Sequence, residues 1–211
     1  MLLEGLIREA DFVFHLASSV GVQLIVSQPV DAIRRIIRPT ENVVDLCAKY
    51  RRPVLLTSTS ETYGKSDDAP FREEMDVVLG PSCKNRWAYA VAKLVDEFYL
   101  LAHHRQTSLP VYITRLFNVV GPRQTGAYGM ALPRFVSAAL RGEPLKVCGD
   151  GLQTRCFSSV FDIVEGLARL SESKEAVGQA VNLGSDEEIS IRDLAERVVK
   201  ICDSKSPIEF V

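Results

Sequence analysis

A tyrosine and a lysine stand four residues apart in the phrase Y-A-V-A-K, at Tyr89 and Lys93. The surrounding residues have helical periodicity, so the two side chains project from the same face, about one turn apart. A nearby ammonium favours phenolate over phenol and lowers a phenol pKa that starts near 10, which would make Tyr89 a usable proton acceptor. The alternative is a surface helix on which the tyrosine and the lysine are unrelated.

Hydroxyl side chains follow an apolar run in the phrase T-S-T-S-E-T-Y-G, from Thr57 to Gly64. The preceding residues P-V-L-L indicate a buried strand, and Thr59 would lie immediately past its carboxyl end. In parallel α/β sheets, ligands bind at that end of the strands. The Thr59 hydroxyl could therefore bond a substrate oxygen while Tyr89 moves its proton. A polar turn with capping hydroxyls is the alternative for this phrase alone, but the two phrases together favour a reaction site.

Three short apolar runs predict the strands that position these residues, at residues 11–17, 54–57 and 111–116. Helical patterns separate the strands, at residues 29–49, where we expect a break at Pro39, and at residues 87–105. Strands that alternate with helices predict an α/β fold with a Rossmann-like doubly wound parallel sheet. On the second helix we expect one apolar face, packed on the sheet and formed by Val91, Leu94, Val95, Phe98, Leu101 and Ala102.

After about residue 120 the predicted helices and strands become shorter, and glycine and proline become more frequent. We predict a strand at residues 145–148 and helices near residues 132–141, 163–171 and 191–202, with Ser190 capping the last helix. Residues 1–120 are therefore expected to form a partial Rossmann NAD-binding domain with the catalytic residues. Residues 121–211 would mostly form a small α/β substrate-binding subdomain, with segments that can return to the sheet.

Composition argues against several classes of function. Twenty-five Lys and Arg against 27 Asp and Glu leave a net charge of −2, too small to attract nucleic acid or an anionic membrane. The five cysteines are scattered, odd in number and never in a C-x-x-C pair, which argues against disulfides and against a metal site. Neither a secretion signal nor a membrane-spanning apolar segment is indicated, so we expect a cytoplasmic protein with reduced thiols.

Several further phrases accompany the two above: F-H-L-A-S-S-V-G-V from Phe14, R-L-F-N-V-V-G-P-R from Arg115, G-D-G-L-Q-T-R-C-F from Gly149 and V-N-L-G-S from Val181. Together they resemble the extended short-chain dehydrogenase/reductases, a family of nucleotide-sugar epimerases, dehydratases and decarboxylases. The resemblance covers nearly the whole chain. It implies NAD as the cofactor and a transient oxidation at C4 of a nucleotide sugar, most simply a UDP-sugar.

The resemblance also implies roles for individual residues. Tyr89 matches the catalytic base, Lys93 the residue that holds the nicotinamide ribose and lowers the tyrosine pKa, and Thr59 the catalytic hydroxyl. Glu61 completes the catalytic set. The cofactor would be contacted, besides Tyr89 and Lys93, by Leu16, Ala17, Ser18, Thr57 and Ser58. The nucleotide sugar would be held by Ser60, Asn118, Arg123 and Arg155, since a guanidinium fork binds phosphate or carboxylate in a bidentate manner.

Ser60 and Glu61 bear on which member of the family this is. The dTDP-glucose 4,6-dehydratases resemble this segment but carry an Asp-Glu pair, so Ser60 disfavours that activity. We expect a UDP-sugar 4-epimerase first, with a UDP-glucuronate decarboxylase of the UDP-xylose-forming type as the alternative. The Ser-Glu pair, the Arg-Trp phrase before Tyr89 and the R-C-F phrase at Arg155 are similar to the decarboxylases.

Relatives of this kind open with a G-x-x-G-x-x-G loop that cradles the NAD pyrophosphate, and no such phrase precedes Asp11. We therefore expect an N-terminally truncated sheet that lacks the first βαβ portion. A non-catalytic or incomplete nucleotide-sugar-binding fragment is accordingly an alternative of another class, and it predicts no NAD binding. The resemblance also implies a homodimer, formed through the helix that carries Tyr89 and the helix before it.

Overall fold

The computed structural model describes residues 2–20, 22–66, 69–126 and 130–211. The chain divides into two compact units: the first comprises Met1–Leu116 and Val164–Leu183, and the second comprises Phe117–Ile163 and Gly184–Val211. Within the described residues, no helix is long and apolar enough to cross a membrane.

Seven helices and ten strands are formed by the described residues. The helices are α1 (Leu2–Glu9), α2 (Val22–Ser27), α3 (Pro29–Tyr50), α4 (Ala88–Thr107), α5 (Ala131–Arg141), α6 (Val160–Glu172) and α7 (Ile191–Ile201). The strands are β1 (Val13–His15), β2 (Val54–Thr59), β3 (Val111–Leu116), β4 (Val119–Val120), β5 (Leu145–Val147), β6 (Thr154–Cys156), β7 (Ser158–Ser159), β8 (Ala180–Leu183), β9 (Glu188–Ser190) and β10 (Ile208–Phe210). Short 3-10 turns occur at Ser60–Tyr63 and Asn85–Trp87.

The first unit is built on a four-stranded parallel sheet in the order β1-β2-β3-β8. Its central strands are apolar because they are covered on both faces, and Val54, Leu56, Val111 and Ile113 belong to one fully buried cluster with side chains of α3 and α4. Helices α3 and α4 pack against each other, and α1 packs against α3. The predicted Rossmann-like parallel α/β architecture is confirmed.

Helix α3 runs without interruption through Pro39, so the break expected there is wrong. A proline inside a helix removes one backbone hydrogen bond, and buried side chains on either side can compensate for that loss. Ile36 and Val44 are buried, and Thr40 is buried with its hydroxyl donating to the Ile36 carbonyl at 3.1 Å. Tertiary packing therefore keeps the helix continuous.

Helix α4 buries a different face from the one predicted. Val91, Val95 and Phe98 are 42%, 43% and 62% exposed, whereas the buried side includes Lys93, Asp96, Glu97 and Leu100. Charged side chains can occupy a core only when they bond to one another, as they do here. The prediction is therefore wrong for Val91, Val95 and Phe98, whereas Leu94, Leu101 and Ala102 are half-buried and Leu101 packs against the core.

The second unit combines small strand pairs with helices α5 and α7. Strands β5 and β10 pair in parallel, as do β4 and β7, while β6 and β9 are antiparallel. Helices α5 and α7 enclose a core with β5, in which Phe135, Leu145, Val147 and Ala195 are buried. Ser190 accepts a hydrogen bond from the Asp193 backbone N–H at 3.0 Å, which confirms the predicted cap of α7.

Candidate active site

Thr59 is the last residue of β2, two residues later than the strand end expected from the sequence. Its hydroxyl accepts a hydrogen bond from the Glu61 backbone N–H at 3.2 Å, and its carbonyl accepts one from the Thr62 hydroxyl at 2.8 Å. The turn then ends at Gly64, whose φ is 69° and where a Cβ atom would lie 2.2 Å from the Val78 carbonyl oxygen. Only glycine fits this position, so the turn that presents Thr59 and Glu61 is locally fixed.

The Tyr89 phenol lies near both of these residues. Its pKa is raised to about 12, mainly by burial and in addition by the Glu61 charge, while a hydrogen bond with the Thr59 hydroxyl opposes the increase. The structure therefore brings Thr59, Glu61 and Tyr89 together at the carboxyl end of β2. The direction of the pKa change is the reverse of the one expected from the Tyr-Lys spacing.

Burial of the phenol is the main cause of that reversal, and the Lys93 charge does not offset it because the lysine is paired with a residue that the sequence analysis did not select. The Lys93 Nζ lies 3.1 Å from the Asp96 Oδ2, and both side chains are 1% exposed. Burial lowers the pKa of Lys93, and the Asp96 charge opposes this decrease. An ammonium held in an ion pair exerts little net attraction on a phenolate.

A second polar pair lies beside Asp96. His15, on β1, is buried, and its Nε2 lies 3.1 Å from the Thr40 Oγ1. The Thr40 hydroxyl can donate its one proton either to the Ile36 carbonyl or to Asp96, and it lowers the pKa of that carboxyl against the larger effect of burial. Burial and the Lys93 charge lower the pKa of His15 to about 4, so this imidazole is neutral at pH 7.

A buried ion pair stands behind the hydroxyl turn. The Arg115 guanidinium donates three hydrogen bonds to Glu97, one of them from Nη2 at 2.7 Å, and one from Nη1 to the Tyr63 hydroxyl at 3.0 Å. The Ser58 hydroxyl donates to the same Glu97 carboxylate. Tyr63 in turn donates to the Asn182 Oδ1 at 2.7 Å. This network ties β2, β3, β8 and α4 together below the candidate site.

Polar groups predicted to contact NAD lie at the carboxyl ends of β1 and β2. Leu16 and Ala17 are exposed after β1, and Thr57 is half-buried within β2. The Ser18 hydroxyl oxygen is buried and has no hydrogen-bond partner in the described part of the chain. A buried hydroxyl without a partner fits a position where a polar ligand group binds. The Ser58 hydroxyl instead bonds Glu97, so its assignment to the cofactor stays a prediction.

The residues predicted to hold the nucleotide sugar divide between the two units. Ser60 is half-buried in the turn after Thr59. In the second unit, Asn118 and Arg155 line a cleft of about 290 Å³, and Arg123 lines a more open one of about 1050 Å³. The Asn118 amide donates to the Cys156 carbonyl at 2.9 Å, and Arg155 is exposed with its Nη1 donating to the Thr154 carbonyl at 2.6 Å.

Sequence reasoning missed Asp96, Glu97 and Thr40. The first two follow Lys93 at the third and fourth positions, so they share its helix face. Two acidic residues on the same helix face as a predicted catalytic lysine indicate that this face is a buried polar one. The apolar residues of α4 instead favoured the opposite assignment of the buried face. Nothing in the spacing of Thr40 distinguished it from an ordinary helix residue.

Comparison with known proteins gives a consistent result. A family model described as "NAD dependent epimerase/dehydratase family" matches residues 2–184. The chain is 39% identical over 210 residues to the UDP-N-acetyl-alpha-D-glucosaminuronate decarboxylase of Bacillus cytotoxicus, covering 99% of this chain and 64% of that protein. It is 37% identical over 209 residues to UDP-glucuronic acid decarboxylase 4 of Arabidopsis thaliana, covering 99% of this chain and 46% of that protein.

Among solved structures, UDP-glucuronic acid 4-epimerase from Bacillus cereus, in complex with UDP-glucuronic acid and NAD, superposes with a TM-score of 0.88 and 29% identity. The match covers 100% of this chain and 65% of that one. This chain thus spans about two thirds of the solved relative and of the Bacillus decarboxylase, and slightly less than half of the Arabidopsis decarboxylase.

Proposed function

The chain belongs to the NAD-dependent epimerase/dehydratase family, and from that premise we propose that it decarboxylates a UDP-linked uronic acid. The observation that carries the proposal is the Glu61 carboxylate close enough to the Tyr89 phenol to raise its pKa. A decarboxylase needs two proton carriers, one at C4 and one at C5 of the sugar, and Tyr89 and Glu61 can supply them. The identity of 39% and 37% to two decarboxylases supports the same activity.

NAD is the cofactor we assign, held by Lys93, Ser18 and the exposed residues after β1. Bound there, NAD would supply the hydride transfer at C4 of the sugar that the transient oxidation requires. The Ser18 hydroxyl supports this assignment because it is buried without a partner among the described residues. The Lys93 ammonium, held by Asp96, can donate to a ribose hydroxyl with its remaining protons.

Tyr89 is proposed to take the proton of the C4 hydroxyl. Its phenol is already hydrogen-bonded with Thr59, so the Thr59 hydroxyl can bond the same sugar oxygen and orient it toward Tyr89. The high pKa of the phenol, about 12, means that Tyr89 is protonated before substrate binds. It must therefore pass its own proton on as it receives one, and the Thr59 hydroxyl can accept that proton while it releases its own to solvent at the exposed turn.

Glu61 is proposed to deliver a proton to C5. With a ketone at C4, the C5 carboxylate is β to a carbonyl, so the bond between C5 and the carboxyl carbon can break and release carbon dioxide. The electron pair of that bond passes into the enolate, and a proton must then reach C5. Glu61 is exposed and stands in the 3-10 turn directly after Thr59, so its carboxylate can take up a proton from solvent before it donates to C5. In the second unit, Arg155 is proposed to bind the anionic part of the nucleotide sugar.

A UDP-sugar 4-epimerase is the second candidate, favoured by the TM-score of 0.88 to an epimerase that binds UDP-glucuronic acid. Epimerisation needs Thr59 and Tyr89, but it does not need a proton at C5. If the chain is a decarboxylase, Glu61→Gln should therefore abolish its activity. If it is a 4-epimerase, the same variant should stay active. Binding of the nucleotide sugar without turnover is the remaining candidate, and it requires no NAD.

The test is to incubate the purified chain with NAD and UDP-glucuronate, or with UDP-N-acetylglucosaminuronate, and to measure carbon dioxide and the nucleotide-sugar products. We expect carbon dioxide and a pentose product. A 4-epimer formed without carbon dioxide would contradict the decarboxylase and support the epimerase. Tyr89→Phe should abolish either reaction while the chain stays folded, so retained turnover in that variant would contradict the mechanism.

We further propose that the protein forms a homodimer through α4. One face of α4 exposes three apolar side chains, those of Val91, Val95 and Phe98. The second and third lie four and seven residues after the first, a spacing that is typical of a helix packed against a partner. Phe98→Glu should produce a monomer in analytical ultracentrifugation, whereas Phe161→Glu, which also alters an exposed phenylalanine, should not. A cytoplasmic location stays a proposal, supported by five free thiols.

A further inference from the structure

The side chain of Lys93 is enclosed in the first unit together with Asp96. Their charged atoms are 3.1 Å apart and both side chains are 1% exposed. Water cannot solvate the ammonium at this depth, so its charge depends on the groups that the protein places around it. Asp96 is the one carboxylate found within ion-pair distance of the Lys93 ammonium in the described part of the chain.

Asp96 is itself held by a chain of polar groups from two other elements. The Thr40 hydroxyl, on α3, donates to the Ile36 carbonyl at 3.1 Å and lies within hydrogen-bond reach of Asp96, and the His15 Nε2 lies 3.1 Å from the same hydroxyl oxygen. A hydroxyl has one proton to donate, and a carboxylate or a carbonyl can only accept it. His15 must therefore donate its Nε2 proton to Thr40, which fixes its neutral tautomer.

We propose that Asp96 is a positioning residue for Lys93. The Asp96 carboxylate supplies the buried counter-charge that keeps the lysine ammonium protonated, and Thr40 and His15 hold this carboxylate in place. Lys93 can then donate to a ligand from a fixed position without being deprotonated by its own burial. Any effect of Asp96 on turnover rests on the proposed function, whereas its effect on the charge of Lys93 is independent of that function.

Other charged groups face this cluster from the elements around α4, and none of them replaces Asp96. The Glu97 charge also raises the pKa of Lys93, by less than Asp96 does, while its carboxylate is bonded to Arg115 of β3. Glu61 acts on Tyr89, and Glu41 of α3 acts on Asp96, whose protonation it favours. His15 is neutral because its pKa is about 4. The positive charge of Lys93 is therefore balanced by Asp96.

The experiment is an NMR titration of the full 211-residue chain labelled with 13C at the lysine Cε, whose chemical shift reports protonation of the amine. The Lys93 signal is identified by its loss in Lys93→Met. In Asp96→Asn, which keeps the shape of the side chain, we expect the pKa of Lys93 to fall by about 1 to 3 units. An unchanged Lys93 pKa in a folded Asp96→Asn chain would overturn the proposal.

Glu4→Gln is the matched control. It removes the carboxylate that lies 2.7 Å from Lys49, but this pair is largely exposed. We expect only a small fall in the pKa of Lys49 and none in that of Lys93. If Asp96→Asn does not fold, Thr40→Val decides, because it leaves both members of the ion pair in place. A fall in the Lys93 pKa in that variant supports the proposal, and an unchanged pKa overturns it.

Turnover supplies a separate measurement. In Asp96→Asn the alkaline limb of the kcat profile should move to lower pH by the same amount as the Lys93 pKa, and Asp96→Glu should restore it toward the wild type. A merely structural role would lower kcat without moving that limb. If the wild-type chain turns over none of the nucleotide sugars, the proposed function fails, but the NMR titration still decides the role of Asp96.

Discussion

Replacing Arg115 by methionine should destabilise the first unit more than any surface substitution. The guanidinium makes three hydrogen bonds to Glu97, one to the Tyr63 hydroxyl and one to the Glu73 carbonyl at 3.2 Å. Methionine fills a similar volume but leaves the Glu97 carboxylate buried, with the Ser58 hydroxyl as its one remaining hydrogen-bond partner among the described residues. Breaking a buried pair in this way costs about 3 to 5 kcal/mol.

The assay is unfolding in urea, followed by circular dichroism, together with calorimetry. For a chain of this length a loss of 3 to 5 kcal/mol corresponds to a fall in Tm of about 6 to 20 °C. Arg169→Met is the matched control, because it breaks an exposed pair with Glu165 one turn away on α6 and should cost at most about 0.5 kcal/mol.

A double variant tests the physical reason. Arg115→Met combined with Glu97→Gln removes both charges and keeps a hydrogen-bonding group beside Ser58, so it should be more stable than Arg115→Met alone. If Arg115→Met costs less than about 1 kcal/mol, or if the double variant is the less stable of the two, the reasoning from a stranded buried charge is refuted.

Three further predictions follow from the same geometry. Glu61→Gln removes a negative charge that raises the pKa of Tyr89, so this pKa should fall below its present value of about 12. Ultraviolet absorbance of the phenol against pH measures it, and an unchanged pKa would place Glu61 too far away to act. His15 has a pKa lowered from 6.5 to about 4, so the unfolded chain binds a proton there first and the free energy of unfolding should fall by up to about 3 kcal/mol as pH drops through that range. His15→Asn should remove this part of the pH dependence, and an equal dependence in both proteins would contradict the assignment. Ser190→Ala removes the cap of α7 and should cost about 1 kcal/mol in denaturant unfolding of the second unit, whereas no loss would mean that solvent satisfies the Asp193 N–H equally well.

The sequence predicted the elements that depend on local pattern. Strand β3 was predicted with the bounds it has, and the cap at Ser190 follows from a hydroxyl placed before a helix pattern. The position of Tyr89 four residues before Lys93 on one helix was also correct. Such features need only the neighbouring residues, because strand alternation, helix periodicity and capping act over a few positions along the chain.

Tertiary structure alone decided which face of α4 is buried and what surrounds its lysine. Periodicity predicted that Val91, Val95 and Phe98 face the sheet, but the core instead receives Lys93, Asp96 and Glu97. Their burial depends on partners from three other elements, namely His15 of β1, Thr40 of α3 and Arg115 of β3. Local hydrophobicity cannot anticipate such partners, because a buried charge is stable only when groups from distant parts of the chain complete its hydrogen bonds. The sequence by itself therefore predicted three of the four strands of the sheet, five of the seven described helices and the proposed reactive residues, and the folded chain determined the charge of those residues.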